Sequence, residues 1–192
     1  MALKQSRMLE LGTPAPAFSL PDVVTGRNVG LQDFAASPAL LVALVCNHCP
    51  YVKHIRAGFV AFAREAQSRG LAVVAISAND AERYPDDAPS AMAREAQTAG
   101  FSFPYLHDAS QAVAKAFGAV CTPEFFLFDR ARRLVYRGRF DASRPGNATP
   151  VTGDDLRAAV NAVLTGKPAS ADQQPSMGCS IKWKAGNAPE YA

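Results

Sequence analysis

The chain of 192 residues has little net charge, no long hydrophobic run and only four cysteines. Its formal charge of +3 includes no basic run, so we expect no nucleic-acid partner. No segment approaches the roughly 20 consecutive apolar residues of a membrane span, so we expect no membrane partner either. No apolar stretch follows the basic N-terminus, which argues against a secretory signal and predicts a cytoplasmic protein. Four cysteines are too few for a disulfide scaffold in a chain of this length and indicate redox or metal chemistry instead.

Two of the cysteines, Cys46 and Cys49, lie three residues apart directly after an apolar run over residues 40–45. If Cys46 opens a helix, both thiols lie on nearly the same helix face, within the Cα separation of about 4.4–6.8 Å that a disulfide can bridge. A helix N-terminus favours the thiolate, so we predict that Cys46 is the nucleophile and Cys49 the resolving thiol. Asn47 and His48 lie between them and are predicted to tune the pair, since a protonated His48 would stabilise a nearby thiolate.

The hydrophobic pattern predicts an α/β fold with a central mixed sheet flanked by helices. Residues 40–45 and 71–77 are continuous apolar runs typical of buried strands, and the residues between them have the period of an amphipathic helix. Such a βαβ unit brings Cys46 to the edge of a parallel sheet where ligands bind. Further along the chain, the pattern predicts a hairpin and then a helix, over residues 124–128, 134–139 and 156–164.

We predict one domain over residues 1–168, including a proline-rich N-terminal extension, and a C-terminal segment over residues 169–192. The segment starts as a flexible connector, yet it holds the only tryptophan, Trp183, and the fourth cysteine, Cys179. We expect the segment to pack back on the domain. A mobile or partner-binding terminus is the alternative.

The order of these elements resembles the thioredoxin fold, in which a CxxC pair follows the first strand of a βαβ unit and a Thr-Pro precedes the hairpin. The resemblance implies a cis peptide bond before Pro123, beside the dithiol, and a substrate that pairs with Thr122 and Pro123 as an added strand. Three phrases, over residues 46–54, 119–129 and 175–184, resemble the peroxiredoxin-like redoxins related to alkyl hydroperoxide reductase and thiol-specific antioxidant proteins. This second resemblance implies antioxidant activity.

The sequence departs from the peroxiredoxin pattern at the two positions that activate a peroxide. Peroxiredoxins place Pro and Thr seven and three residues before the reactive cysteine. Counting back from Cys46 gives Ala39 and Ala43, and counting back from Cys49 gives Val42 and Cys46. We therefore favour a thiol-disulfide oxidoreductase, whose partners are a protein or small-molecule disulfide and a thiol electron donor.

A thiol-dependent peroxidase is the alternative, in which a sulfenic acid on Cys46 is captured by Cys49, Cys121 or Cys179. Cys121 lies two residues before Pro123 and is expected near the dithiol, as a resolving thiol, as a partner for Cys179 or as a buried apolar residue. Cys179 itself is either a mobile resolving thiol or a plain structural one.

A metal- or partner-binding module is a third possibility, since four thiols and His48 are ligands that zinc accepts. The sequence has no second closely spaced pair of cysteines or histidines. We therefore expect no metal and no other cofactor.

Overall fold

The computed structural model of the protein describes residues 3–192, which form ten strands and four α-helices. The strands are β1 (Leu3–Gln5), β2 (Ser19–Pro21), β3 (Asn28–Gly30), β4 (Ala39–Leu44), β5 (Leu71–Ser77), β6 (Tyr105–His107), β7 (Cys121–Thr122), β8 (Glu124–Phe128), β9 (Leu134–Gly138) and β10 (Met177–Ser180). The helices are α1 (Pro50–Ser68), α2 (Pro89–Ala99), α3 (Ala112–Ala116) and α4 (Asp154–Leu164). Two short 3-10 helices cover Leu31–Phe34 and Pro85–Asp87.

Five strands form the central sheet in the order β6-β5-β4-β8-β9. β4, β5 and β6 run parallel, whereas β8 and β9 are antiparallel to their neighbours. Every residue of β4 is buried because helices α1, α2 and α4 cover one face of the sheet and α3 covers the other. The structure thus confirms the predicted mixed sheet flanked by helices.

The predicted βαβ unit corresponds to β4, α1 and β5, and the predicted hairpin to β8 and β9. Helix α1 buries one face, and its buried positions recur at three- and four-residue steps, from Val52 through Ile55 and Phe59 to Phe62 and Ala66. Because β4 ends at Leu44, the two cysteines follow at the carboxyl edge of the sheet. This is the edge at which the parallel strand order predicted a ligand.

A second sheet of three strands, in the order β1-β10-β7, lies beside this edge. Both outer strands are antiparallel to β10, so that Cys179 has Leu3 on one side and Thr122 on the other. The chain therefore returns from its C-terminal segment to the residues that precede Pro123. Within residues 3–192, no helix is both long and apolar enough to span a lipid bilayer.

Candidate redox site

The sulfur atoms of Cys46 and Cys49 converge on one residue, Thr122. The Cys46 Sγ lies 3.3 Å from the Thr122 hydroxyl oxygen, and the Cys49 Sγ lies 3.2 Å from the Thr122 carbonyl oxygen. The peptide bond between Thr122 and Pro123 is cis, as the resemblance to the thioredoxin fold implies. Contact of both sulfurs with a single residue brings the dithiol and the predicted substrate-binding residues together.

The expectation that Cys46 opens the helix is wrong. Helix α1 begins at Pro50, and Cys49 is its N-cap residue. The reason lies in Asp87, whose carboxylate accepts hydrogen bonds from the backbone N–H groups of Asn47 at 2.7 Å and His48 at 3.2 Å. These bonds hold the segment between the cysteines in a loop, and Pro50 suits the first helical position because it has no N–H to satisfy. The positive helix terminus therefore acts on Cys49.

Asp87 is fully buried and is the centre of a polar cluster around Cys46. Besides the two backbone groups, it accepts a hydrogen bond from the Asn79 side-chain amide at 2.7 Å and lies 2.5 Å from His48 Nδ1. The ring of His48 stacks on Tyr84, with ring centroids 5.3 Å apart. The only signal for Asp87 in the sequence is its place in a polar loop after β5, at the same carboxyl edge as the cysteines.

Asn79 also links this cluster to the C-terminal segment. Its side-chain amide nitrogen donates to Asp87, and its side-chain oxygen accepts a hydrogen bond from the backbone N–H of Lys182 at 2.8 Å. The Tyr105 hydroxyl donates to the Asn47 side-chain oxygen at 3.0 Å. Asn47 and His48 thus have defined partners, and both hold the loop between the cysteines in place.

The groups around Cys49 favour its thiolate form. A hydrogen bond from the Cys46 thiol lowers the pKa of Cys49 to about 5, against the effect of burial. The Cys179 thiol and the backbone N–H groups of Val52 and Cys179 lower it further. Only protonated Cys49 can donate to the Thr122 carbonyl, so that bond opposes ionisation, but four donors outweigh one acceptor.

The pKa of Cys46 is shifted in the opposite direction. Its hydrogen bond to Cys49, its burial and the negative charge of Asp87 all raise the pKa of Cys46. The predicted tuning by His48 relied on an added positive charge near this sulfur. In the structure the imidazole faces the Asp87 carboxylate at 2.5 Å, and the negative charge of that carboxylate raises the pKa of Cys46.

All four cysteines are reduced and buried, with exposed fractions of 2% for Cys46, 0% for Cys49 and Cys121, and 4% for Cys179. Burial, the first cause, and the charge of Glu124 raise the pKa of Cys121 far above its usual range, as for an inert apolar side chain. Burial also raises the pKa of Cys179 to about 12. A large substrate therefore reaches the dithiol only after a covering segment moves.

Glu124, which sequence reasoning missed, is the buried acid beside Pro123. It pairs with Leu44 in the sheet register, and its carboxylate accepts a hydrogen bond from the backbone N–H of Val120 at 3.2 Å. Burial raises the pKa of Glu124 to about 8. Leu44 packs in the cluster on the α3 face, whereas both cysteines of the dithiol pack in the cluster on the α1 face. Glu124 is therefore separated from the dithiol by the sheet.

One group within residues 3–192 has the composition of a metal site, namely Cys46, His48 and Asp87, with one ligand atom of each within 4.8 Å of the others. Sulfur, nitrogen and carboxylate donors are ligands that zinc accepts. The oxygens of Asp87 are already engaged by the four N–H groups described above. A metal would have to displace part of this hydrogen bonding.

The comparison with known families decides what kind of protein carries this site. A model of the AhpC/TSA family matches residues 11–137, from the N-terminal extension through β9. The chain belongs to the AhpC/TSA family. None of the curated proteins compared with the chain matches it.

Two solved structures match this AhpC/TSA protein over nearly its whole length. A hypothetical protein, SMc02350 from Sinorhizobium meliloti 1021, is 54% identical, with 95% of this chain and 99% of that chain covered and a TM-score of 0.93. An uncharacterized conserved protein from Geobacillus kaustophilus is 48% identical, with coverages of 96% and 97% and a TM-score of 0.94.

A more distant match indicates the fold alone. A thiol:disulfide interchange protein of the thioredoxin family from Chlorobium tepidum TLS is 20% identical, with coverages of 82% and 99% and a TM-score of 0.61. The predicted thioredoxin-like fold is therefore confirmed.

Proposed function

We propose that this AhpC/TSA protein is a thiol-disulfide oxidoreductase that uses the Cys46/Cys49 dithiol. The observation that carries the proposal is the convergence of both sulfurs on Thr122, one at its hydroxyl and one at its carbonyl oxygen. Two sulfurs held against one residue can close a disulfide with little movement. The structurally similar protein from Chlorobium tepidum is named for the same class of reaction, thiol:disulfide interchange.

The proposal uses the two cysteines that the sequence predicted, but with their roles exchanged: Cys49 is the nucleophile and Cys46 is the resolving thiol. The helix terminus and three neighbouring residues favour the thiolate at Cys49, whereas Asp87 disfavours it at Cys46. The Cys49 thiolate attacks one sulfur of a substrate disulfide, and the other substrate sulfur leaves as a thiolate. Cys46 then loses its proton and attacks the Cys49 sulfur of the mixed disulfide. The second substrate thiol leaves with that proton, and Cys46–Cys49 is oxidised.

The substrate is a protein or small-molecule disulfide, and a thiol electron donor reduces the Cys46–Cys49 disulfide afterwards. An extended substrate would pair with β7 at Thr122 and Pro123, where β10 now lies. We place the reaction in the cytoplasm, whose thiol pool can regenerate the dithiol.

Reduction of insulin by the reduced protein tests the proposal. We expect Cys49→Ser to abolish turnover. We expect the Cys46→Ser/Cys179→Ser variant, which lacks both thiols near Cys49, to stop at a stable mixed disulfide on Cys49 that mass spectrometry detects. The Cys121→Ala variant is the control and should retain turnover, because the proposed steps pass through Cys46 and Cys49 alone. A mixed disulfide on Cys46 in the Cys49→Ser variant would restore the sequence-based roles. Insulin reduction by the Cys46→Ser/Cys49→Ser double variant would exclude the dithiol altogether.

The same proteins separate this activity from peroxidase activity. The arginines at positions 137 and 139 bind Leu9, Gln173 and Asp155, so neither supplies the charge that would polarise a peroxide at the dithiol. We expect hydrogen peroxide to oxidise the dithiol no faster than it oxidises a free thiol, as measured by stopped-flow. A much faster reaction would favour the peroxidase.

A further inference from the structure

The C-terminal strand β10 lies directly against the residues that contact the dithiol. Cys179 pairs with Thr122 and Ser180 pairs with Cys121, and the backbone N–H of Ile181 donates to the Val120 carbonyl at 3.0 Å. On its other edge β10 pairs with β1. A strand held on both edges has a fixed register, so the position of Cys179 is set by its neighbours.

Gly178 permits an unusually close approach between this strand and Thr122. A Cβ atom at position 178 would lie 2.0 Å from the Thr122 carbonyl oxygen and 3.3 Å from Pro123 Cδ. Glycine is the residue type that allows two backbones to come this close. The same carbonyl oxygen is the one that Cys49 contacts, so the close approach brings β10 next to the Cys49 sulfur.

The Cys49 sulfur consequently lies near two other thiols. Cys46 contacts the Thr122 hydroxyl, and Cys179 pairs with Thr122 in the sheet register, so both lie beside the residue whose carbonyl oxygen Cys49 contacts. Both residues also lower the pKa of Cys49. All three sulfurs belong to the same buried cluster on the α1 face. A sulfur near two thiols can form a disulfide with either of them.

We propose that Cys179 is a third redox-active thiol, which attacks the Cys49 sulfur of the Cys46–Cys49 disulfide and converts it into a Cys49–Cys179 disulfide. This inference rests on the proposed function, which supplies the first disulfide. The Cys49–Cys179 bond forms as the Cys46–Cys49 bond breaks, and the proton that Cys179 gives up goes to the departing Cys46 sulfur. The exchange needs no external oxidant, because one disulfide is replaced by another.

The exchange has a consequence for substrate access. In the Cys49–Cys179 form, β10 is covalently fixed beside Thr122, at the strand position that the proposed substrate would use. The oxidised protein then has a closed form, which cannot accept a second extended substrate until a thiol donor reduces it. In the reduced form, only hydrogen bonds and packing hold β10 in place.

Disulfide mapping of the full chain tests the exchange. The reduced protein is oxidised with a limiting amount of diamide, quenched with acid and N-ethylmaleimide, and analysed by peptide mass spectrometry. We expect the wild type to yield both Cys46–Cys49 and Cys49–Cys179 peptides. The Cys179→Ser variant should lose the Cys49–Cys179 peptide, and the Cys46→Ser variant should lose the Cys46–Cys49 peptide. The Cys121→Ala control should keep both.

If the wild-type protein forms the Cys46–Cys49 disulfide but no Cys49–Cys179 disulfide, the redox role of Cys179 is refuted and the proposed function stands. A protein that forms neither disulfide would overturn both proposals. The Gly178→Ala variant is a second test in case Cys179→Ser fails to fold. It keeps all four thiols, and its new methyl group displaces β10 from Thr122. Its Cys49–Cys179 peptide should be lost while Cys46–Cys49 persists, and wild-type yields of both would count against the inference.

Discussion

Two sulfurs only three residues apart have opposite surroundings in this protein. Cys46 lies beside a buried carboxylate from the loop that follows β5, whereas Cys49 lies at the start of α1 beside a thiol from β10. The carboxylate raises the pKa of the first sulfur, and the donors around the second lower its pKa. The comparison teaches that residues distant in the chain give the two sulfurs of a CxxC pair different surroundings.

The largest effect is expected on the Cys49 side, from Gly178→Ala. The new methyl group overlaps the Thr122 carbonyl, so β10 must shift, at a cost of about 1–3 kcal/mol of the free energy of unfolding. Cys49 then loses its cover and should be alkylated faster by iodoacetamide in the native state. In the Gly186→Ala control, the positive φ of 72° strains the backbone of the same segment, but the new methyl group meets no neighbour, so the alkylation rate should stay unchanged. An unaltered rate in Gly178→Ala would mean that β10 does not cover Cys49.

The next effect is expected on the Cys46 side, from Asp87→Asn. Removal of the anion should lower the pKa of Cys46, seen as an earlier second step in the thiolate absorbance at 240 nm when reduced protein is titrated. The changed hydrogen bonding in a buried cluster should also cost about 1–3 kcal/mol in the free energy of unfolding. Asp86→Asn is the matched control, because its side chain is exposed. If both variants titrate like the wild type, Asp87 does not set the difference between the sulfurs.

An effect on stability alone, with none on the dithiol, is expected from Glu124→Gln. The folded-state pKa of Glu124 is about 8, above its usual 4.5, so its neutral form is favoured in the folded protein. Its contribution to stability is complete below about pH 4.5 and is lost as the pH rises to about 8. Relative to the wild type, the glutamine variant should gain at most about 1.4 kcal/mol per pH unit within this window.

Guanidinium unfolding at pH 5.5 and 7.5 measures that gain. The variant should leave the thiolate titration and the alkylation rate of Cys49 as they are, because Glu124 faces the opposite side of the sheet. A changed thiolate titration would mean that Glu124 influences the dithiol from the opposite face of the sheet. A constant stability difference between the two pH values would refute the raised pKa.

The central sheet was predictable because its strands and α1 carry their own signals. A continuous apolar run marks β4 and β5, and helical periodicity marks α1, so the βαβ unit was predicted within one or two residues at most ends. The three-stranded sheet offered no such signal. β1 has three residues and β7 has two, and their pairing with β10 depends on contacts between both ends of the chain.

The site was predictable only in part, for a related reason. The spacing of Cys46 and Cys49 is local, and so is the Thr-Pro that precedes β8. The start of α1 is not local, because Asp87 takes the N–H groups of Asn47 and His48, and nothing near the cysteines announces this carboxylate. The contact between Cys49 and Cys179 is equally remote in sequence. Reasoning from spacing therefore predicted that the two cysteines lie together but not the distant residues that give them different surroundings.

The two bonds of Asn79 tie the surroundings of the two sulfurs together. Its nitrogen holds Asp87 on the Cys46 side, and its oxygen holds the backbone of Lys182, three residues after Cys179. A primary amide has its donor and its acceptor on separate atoms, so it can give a hydrogen bond on one side and take one on the other. Aspartate at position 79 would supply no donor, and leucine would supply neither donor nor acceptor. Asn79 therefore connects the C-terminal segment to the carboxylate beside Cys46 through two hydrogen bonds, and a shift of that segment would disturb both.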